Sequence, residues 1–246
     1  MNTKHWEKMY ALPLEKIPNT AIVMAAGKGT RMLPLTETIP KALVNWKGKP
    51  LIVHVLNELN KTSVQKAIIV IGYKGKQIQK YLGKKFGKIK LEYVTQTQQL
   101  GTAHAVQTGL KKIHNENFLV LSADVIASAK DLNKFLNSTG DCCMALRKTK
   151  KPERYGIIEL KGKNIVKLIE KPKNYPKKTA WMNAGIYSFN ANTIPFILNV
   201  QKNKQRNEFE LTDVVQNLIH GKKKVIGIKF EKKVYDIGNL EDLKQK

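Results

Sequence analysis

The sequence predicts an α/β fold: a doubly wound, mostly parallel (Rossmann-like) sheet with helices on both faces and a small β-rich part toward the C-terminal end. Two observations support this prediction. Up to about residue 140, short apolar segments alternate with helix-like segments, and the apolar segments are hydrophobic on both faces, as in a sheet covered on both sides. Beyond that point, strand-like segments follow one another with only short turns between them.

The first part of the chain contains four apolar segments of strand character, at residues 20–26, 66–72, 89–94 and 117–123. Three helix-like segments lie between them, at residues 50–61, 75–83 and 102–113. Pro50 is suited to the start of the first helix, and Thr102 is suited to the N-cap of the third. Such alternation predicts right-handed βαβ units.

The second part of the chain is predicted to begin with four strands, at residues 142–149, 155–160, 164–170 and 182–189. The remaining predicted elements are two helices, a strand and a short final helix, at residues 191–199, 209–219 and 224–230 and from Leu240 onward. We expect residues 20–246 to form a single domain, preceded by an arm at residues 1–19.

The composition is basic. The chain has 246 residues, of which 44 are Lys or Arg and 19 are Asp or Glu, so the net charge is +25. The lysines are spread in short clusters, which favours solvated surface charge over one nucleic-acid-binding patch. No run approaches the ~20 apolar residues of a membrane span, and the N-terminal segment lacks the apolar core of a secretory signal. Cys142 and Cys143 are adjacent and poor disulfide partners, so we expect reduced thiols in a cytoplasmic protein.

A glycine loop follows the first predicted strand in the segment AIVMAAGKGTRMLPLTETIPKALV (21–44). It is neither a Walker loop nor a dinucleotide loop, because no lysine follows Gly29 and Met32 replaces the third glycine. Gly27 and Gly29 allow backbone N–H groups to approach an anion closely. Arg31 adds a planar fork for phosphate oxygens, and Lys41 follows a proline that stiffens the loop. This set is suited to a polyphosphate.

The same segment resembles the signature of the sugar-1-phosphate nucleotidyltransferases, roughly G-x-G-T-R-[ML]-x-P-L-T-x(4)-P-K. The resemblance implies transfer of a nucleotidyl group from an NTP to a sugar 1-phosphate, which gives an NDP-sugar and pyrophosphate, with Mg²⁺ as the cofactor. It also implies a nucleotide-binding half at residues 20–140 and a sugar-phosphate-binding half at residues 141–246. Some members continue into a left-handed β-helix acetyltransferase domain; the printed sequence contains no such hexapeptide region, so we expect a single activity.

The resemblance assigns the site residues in four groups. The catalytic cations would be Arg31, Lys41 and Lys171. The nucleotide would contact Ala26, Gly27, Gly29, Thr30, Gln96, Gly101 and Thr102. The sugar phosphate would contact Gly156, Glu170, Lys171, Asn183 and Gly185. Mg²⁺ would be bound by Asp124 and Asp236.

Two neighbouring positions complete this assignment. Asp124 ends an apolar strand, where a carboxylate is well placed for a metal. Ala123 precedes it where the family usually has glycine, and its methyl group is expected to lie near the nucleotide sugar. Glu208 and Asp213 lie in another segment that resembles the family, and we assign them a structural role only.

Alternatives remain open for the substrates and for the class of protein. Gln96 favours UTP or dTTP, and both glucose 1-phosphate and N-acetylglucosamine 1-phosphate are suitable acceptors. A cytidylyltransferase acting on a non-sugar phosphate such as phosphocholine would share the loop but not need the segments around Glu170 and Asn183. A basic nucleic-acid-binding protein is the alternative of a different class, although no RNP, KH or zinc-finger pattern occurs. We expect no nucleic-acid or membrane partner, and a homo-oligomer is compatible with the sequence.

Overall fold

A mixed sheet of ten strands, with α-helices packed on both of its faces, forms the protein in our computed structural model. The structure describes residues 17–170 and 172–244, without the side chains of Arg154 and Glu170. The predicted N-terminal arm therefore lies almost entirely outside the described residues.

The strands, numbered in chain order, are β1 Thr20–Ala25, β2 Asn45–Trp46, β3 Lys49–Pro50, β4 Lys66–Ile71, β5 Lys85–Phe86, β6 Ile89–Thr95, β7 Phe118–Ser122, β8 Val125–Ile126, β9 Cys142–Thr149, β10 Gly156–Lys161, β11 Asn164–Glu170, β12 Ala180–Phe189, β13 Val225–Lys229 and β14 Tyr235–Asp236. The α-helices are α1 Leu51–Leu59, α2 Gly75–Leu82, α3 Thr102–Gly109, α4 Ala129–Leu136, α5 Ile194–Leu198 and α6 Leu211–His220. A short 3-10 helix, Glu241–Lys244, takes the place of the predicted final helix.

The large sheet has the strand order β10-β11-β13-β9-β12-β7-β1-β4-β6-β5. Its β7-β1-β4-β6 part is parallel, as predicted. From β1 the chain proceeds to β4 and β6 on one side and then returns to β7 on the other side. The strand order therefore reverses between β1 and β7, which makes their carboxyl ends the expected place for a ligand.

The prediction of a mostly parallel sheet is wrong for the sheet as a whole. β12 runs antiparallel to both β7 and β9, and β11 runs antiparallel to β10 and β13. A short connection explains the β10–β11 pair, because a parallel pair needs a long crossover and only an antiparallel pair can be joined by a tight turn. One further antiparallel pair, Ile157 with Met182, joins β10 to β12, so five strands close on themselves.

Both faces of the parallel part are buried, which explains its continuous apolar runs. Along β1, Ala21 and Val23 pack in one hydrophobic cluster together with α1, α2 and α4. Ile22 packs in the other cluster together with α3, α5 and α6. Alternate residues of a strand point to opposite faces, so each strand needs apolar residues at every position here.

Several predicted boundaries differ from those in the structure. The predicted helix 102–113 is α3 followed by a 3-10 turn, Leu110–Lys112. Thr102 is not the N-cap of α3, because Gly101 occupies that position and Thr102 Oγ1 accepts a hydrogen bond from Leu211 N–H (3.0 Å). The Thr102 hydroxyl thus accepts from the first residue of α6 and does not cap its own helix.

Helix α4 was not predicted, although its start has a recognisable signal. Ser128 is its N-cap and accepts a hydrogen bond from Asp131 N–H (3.2 Å), while Ser128 Oγ donates to Asp131 Oδ2 (2.9 Å). This Ser-x-x-Asp pattern is a capping box.

No helix within the described ranges is long and apolar enough to cross a bilayer.

The two cysteines lie next to each other on β9, and both are free and buried. Cys142 packs in one hydrophobic cluster and Cys143 in the other, so their side chains point to opposite faces of the sheet, as predicted. Burial raises the pKa of the Cys143 thiol to about 11 and that of Cys142 well above its ordinary value.

These thiols should resist modification while the protein is folded. A raised pKa leaves a thiol protonated near neutral pH, and burial excludes the reagent. We expect the folded protein to react with Ellman's reagent over hours at about pH 8, and the guanidinium-unfolded protein to release two equivalents within minutes. Rapid reaction of the folded protein would show that β9 is not buried as described.

Candidate active site

A cleft of about 530 Å³ lies at the carboxyl ends of β1 and β7, where the strand order reverses. Its walls come from the glycine loop after β1, from the end of β7, from the start of α3 and from the segment after β14. The lining residues include Ala26, Gly27, Lys28, Gly29, Thr30, Arg31, Lys41, Gln96, Gln99, Gly101, Thr102, Ser122, Ala123, Asp124, Glu208 and Gly238. Most of the residues assigned to the nucleotide therefore share one cleft.

The glycine loop is fixed by internal hydrogen bonds. Gly29 has a left-handed φ of 69°, and its carbonyl accepts from Met32 N–H (2.8 Å) and from Thr36 Oγ1 (2.9 Å). A Cβ on Gly29 would lie 2.9 Å from Thr36 Cγ2 and 3.0 Å from Lys41 Cβ. Only glycine fits there without strain. The N–H groups of Gly27 and Gly29 donate to no residue that the structure describes, so they are available to an anion in the cleft.

Two cations of this loop reach the cleft in different ways. Arg31 lies on the exposed 3-10 turn that directly follows the glycines. Lys41 begins another 3-10 turn, immediately after Pro40, and its ammonium group forms an ion pair with the Asp124 carboxylate. Both ends of that pair line the cleft, so positive and negative charge meet at the end of β7.

The two aspartates are brought together by a pair of very short strands. β8 and β14 form an antiparallel pair in which Asp236 lies opposite Val125, and Ile237 N–H donates to the Asp124 carbonyl (3.1 Å). Burial raises the pKa of the Asp236 carboxyl, and the neighbouring Asp124 acts in the same direction, whereas Arg147 and Lys41 oppose the rise. Arg147 Nη2 donates to Asp236 Oδ2 (2.9 Å). Each carboxylate thus has its own cation.

Arg31 also approaches this pair. A methyl group built on Gly238 would lie 3.8 Å from Arg31 Nη1 and 3.9 Å from Asp236 Oδ1. The guanidinium of Arg31 and the carboxylate of Asp236 therefore flank the same point at the edge of the cleft. The N–H of Gly238 donates to Asp242 (2.9 Å), which fixes the turn after β14.

The carboxylates of Asp124 and Asp236 suit Mg²⁺, which keeps water and substrate ligands, better than a metal ion that protein side chains alone enclose. Within the described ranges, no cluster of three or more His, Cys, Asp and Glu side chains is present that would enclose an ion. Mg²⁺ is commonly bound by one or two carboxylates together with substrate phosphates and water. Asp124 and Asp236 beside an anion-suited loop match that arrangement.

The far end of the cleft contains the residues assigned to the base. Gln96 follows β6 and is buried, with its amide nitrogen 3.4 Å from the Gly101 carbonyl and 2.9 Å from His104 Nδ1. The carbonyl of Gly101 also accepts from Ala105 N–H (3.1 Å). The backbone carbonyl of Gly101 is thus used within the protein, whereas its N–H group donates to none of the residues that the structure describes.

Four of the five residues assigned to the sugar phosphate, Gly156, Glu170, Asn183 and Gly185, lie on strands of the closed part and are not among the residues that line the 530 Å³ cleft. Asn183 lies on β12, where its side chain donates to the Tyr187 hydroxyl and accepts from Gly185 N–H (2.8 Å). A Cβ built on Gly185 would lie 3.6 Å from Val125 Cγ2, and Val125 directly follows Asp124 in the chain. Gly156 begins β10. Lys171 and the side chain of Glu170 lie outside the described part of the chain, so their roles stay predictions.

A larger concavity of about 820 Å³ lies elsewhere, lined by residues of α1, of the segment around β8 and of the segment before β14. It contains none of the residues predicted for the site. The smaller cleft is the candidate active site because it combines the glycine loop, three cations of the loop segment (Lys28, Arg31 and Lys41) and a metal-suited carboxylate at a strand-order reversal.

Residues 20–246 match the family model described as nucleotidyl transferase. The chain belongs to the nucleotidyl transferase family. The bifunctional protein GlmU of Methanococcus maripaludis (strain C7) is 36% identical over 226 residues, which are 91% of this chain and 52% of that protein. The UTP–glucose-1-phosphate uridylyltransferase AglF of Haloferax volcanii is 29% identical over 228 residues, 90% of this chain and 92% of that protein. The chain spans about half the length of the GlmU proteins that it matches.

Solved structures agree with this family membership. A UDP-glucose pyrophosphorylase in complex with UDP-glucose has a TM-score of 0.79 at 25% identity, over 92% of this chain and 96% of that chain. A UDP-glucose pyrophosphorylase from Acinetobacter baumannii has a TM-score of 0.80 at 20% identity, over 92% and 90% of the two chains, and shows likeness of fold alone.

Three features of this nucleotidyl transferase were missed from the sequence. Arg147, in the middle of β9, carries no local signal, because only the β8–β14 pair brings Asp236 to it. Glu208, assigned a structural role, lines the cleft, whereas Asp213 accepts a hydrogen bond from Asn203 Nδ2 (3.1 Å), as a structural residue would. His104, in the first turn of α3, is not among the residues predicted for the site, yet its Nδ1 lies 2.9 Å from the Gln96 amide nitrogen.

A pair of glycine substitutions tests the geometry of the loop. Gly29→Ala should lower the free energy of unfolding by about 1–2 kcal/mol, because its φ is left-handed and its Cβ would contact Thr36 and Lys41. Gly27→Ala is the matched control, since nothing lies within 4 Å of its built Cβ, and should change stability by at most about 0.5 kcal/mol. Urea unfolding of the two variants measures this difference, and equal midpoints would contradict the described loop.

Proposed function

We propose that this protein transfers a nucleotidyl group from an NTP, UTP or dTTP, to a sugar 1-phosphate, giving an NDP-sugar and pyrophosphate. Glucose 1-phosphate and N-acetylglucosamine 1-phosphate are the acceptors we expect. The observation that carries the proposal is the meeting of the glycine loop, Arg31 and Lys41 with the Asp124–Asp236 pair in and beside one cleft. Family membership and the similarity to AglF, a UTP–glucose-1-phosphate uridylyltransferase, support the same reaction class.

The chemistry requires little from a general base. The attacking group is a phosphate oxygen that is already anionic near neutral pH, so no side chain needs to remove a proton from it. The barrier arises because one anion approaches another while a third departs. Positioning and neutralisation of charge are then the main contributions of the protein.

The cations of the cleft supply that neutralisation. The free N–H groups of the glycine loop and the Arg31 guanidinium bind the phosphates that leave as pyrophosphate. Lys41, which lines the cleft beside Asp124, neutralises the phosphate under attack in this proposal. A single well-aimed charge of this kind typically contributes about 10²–10³ in rate. Lys171, by family resemblance, binds the attacking phosphate.

Mg²⁺ is the cofactor we expect, with Asp124 and Asp236 as its protein ligands. When bound, it polarises the phosphoryl oxygens and neutralises charge that develops during transfer. Arg147 orients the Asp236 carboxylate through their 2.9 Å hydrogen bond, and Lys41 does the same for Asp124. Gly156, Glu170, Asn183 and Gly185 form the sugar side in this proposal.

Two other readings of the chain give different experimental results. A cytidylyltransferase acting on phosphocholine would consume CTP and no sugar phosphate. A nucleic-acid-binding protein would show strongly salt-dependent binding to DNA or RNA that NTP does not compete away. We expect neither. A cytoplasmic location stays a prediction that rests on the reduced, buried thiols, and homo-oligomerisation stays untested.

A pyrophosphate-release screen tests the proposed reaction. Four NTPs are crossed with a panel of sugar 1-phosphates and with phosphocholine, in the presence of Mg²⁺. We expect release with UTP or dTTP together with a sugar 1-phosphate, and none after chelation with EDTA. Release with CTP and phosphocholine only, or with no combination, would contradict the proposal.

The variant Asp124→Asn links that activity to the cleft. Removing its charge should lower the rate by at least about 10²-fold while the far-UV spectrum and the melting transition keep their folded form. Glu231→Gln is the matched control, because it breaks another Lys–carboxylate pair, Lys134–Glu231, on the exposed surface away from the cleft. Equal rates for Asp124→Asn and Glu231→Gln would remove Asp124 from the mechanism.

A further inference from the structure

We propose that His104 determines base specificity by fixing the orientation of the Gln96 amide. In this orientation the amide oxygen of Gln96 is left for the ligand, so the site selects a pyrimidine whose ring N3 carries a hydrogen (uracil or thymine) over cytosine. The inference rests on the proposed function, since it concerns the base of the nucleotide that the enzyme uses.

The first argument concerns the carbonyl of Gly101. It lies 3.4 Å from the amide nitrogen of Gln96 and also accepts from Ala105 N–H at 3.1 Å. A backbone carbonyl can only accept hydrogen bonds. The Gln96 atom beside it must therefore be the NH₂ group, because the amide oxygen in that place would set two acceptors against each other.

The second argument concerns the ring of His104. Its Nδ1 lies 2.9 Å from the same amide nitrogen, which is a shorter contact than the one to Gly101. With NH₂ as the donor, Nδ1 is the acceptor and the proton of the neutral ring is on Nε2. Both N–H bonds of the Gln96 amide are then used within the protein. His104 lies in the first turn of α3, where its ring packs against Phe209 at a centroid distance of 6.4 Å.

What remains of Gln96 is an acceptor. Only 4% of the residue is exposed, and it lines the cleft. Its oxygen accepts a hydrogen bond from no residue that the structure describes. An acceptor in the wall of the cleft suits the N3–H of uracil or thymine and opposes the lone pair on N3 of cytosine. A buried polar group discriminates strongly because the wrong partner leaves it unpaired.

His104 is the residue that makes this orientation secure. The Gly101 contact is long, so by itself it opposes a 180° rotation of the amide only weakly. In the Nε2–H tautomer, the shorter His104 contact adds a second acceptor, and the rotated amide oxygen could bond to Nδ1 only after the ring had moved its proton there. Removing the His104 ring should let the Gln96 amide rotate and present its NH₂ group to the cleft, where N3 of cytosine can accept a hydrogen bond from that group.

The test measures the ratio of kcat/KM for UTP to kcat/KM for CTP with one sugar 1-phosphate, and the ratio of the two dissociation constants by calorimetric titration. His104→Leu removes the acceptor, and His104→Phe removes it while keeping a ring against Phe209. His104→Asn is the matched control, because its side-chain oxygen lies where Nδ1 does. We expect both ratios to fall about tenfold in the Leu and Phe variants, through KM rather than kcat, and to be largely kept in the Asn variant.

Each outcome decides one statement. An unchanged ratio in both acceptor-free variants overturns the role of His104, as does an equal loss with both nucleotides, which is what a purely structural role would give. A wild-type enzyme that prefers CTP or a purine nucleotide also overturns it while leaving nucleotidyl transfer intact. A wild-type protein that turns over no nucleotide overturns the proposed function instead, and the calorimetric ratio still decides the role of His104.

Discussion

The candidate site depends on one short antiparallel contact, the pairing of β8 with β14. It places Asp236 beside Asp124, although 112 positions (236 − 124) separate them in the chain. Two carboxylates so close repel each other, and burial adds to that cost, as the raised pKa of Asp236 indicates. The pairing persists because Lys41 and Arg147 each neutralise one of them. The like charges that would weaken the fold are thus the feature that suits a divalent cation.

The remaining geometry follows from strand order. β1 and β7 are neighbours at the reversal, so the loops that leave their carboxyl ends must diverge and open a crevice. The glycine loop leaves from β1 and Asp124 from β7, which puts an anion-suited backbone opposite a cation-suited carboxylate. On the other edge of β7, β12 pairs antiparallel with it and brings Gly185 next to Val125. One sheet therefore connects the nucleotide side of the cleft to the strands assigned to the sugar.

The sequence predicted well whatever depends on neighbours in the chain. The parallel strands, the loop with Gly27 and Gly29, and Asp124 at a strand end are local patterns of burial and backbone conformation. It failed where distant segments meet. Two-residue strands such as β8 and β14 have no periodicity to detect, so the ion pair of Asp236 with Arg147 could not be foreseen, and only the family resemblance placed Asp236 with Asp124. Thr102 had the residue type of a cap, but the better donor came from Leu211, far along the chain.

The charge of the molecule and the charge of its site are separate matters. The chain carries +25, yet carboxylates of Asp124, Asp236 and Glu208 lie in or beside the cleft. A surface that is positive everywhere would attract phosphates without placing them. Carboxylates at one point of the cleft prevent indiscriminate phosphate binding there and permit it only together with a cation. In the proposed reaction the lysine excess raises the encounter rate with anionic substrates, whereas the paired aspartates determine where along the triphosphate the transfer takes place.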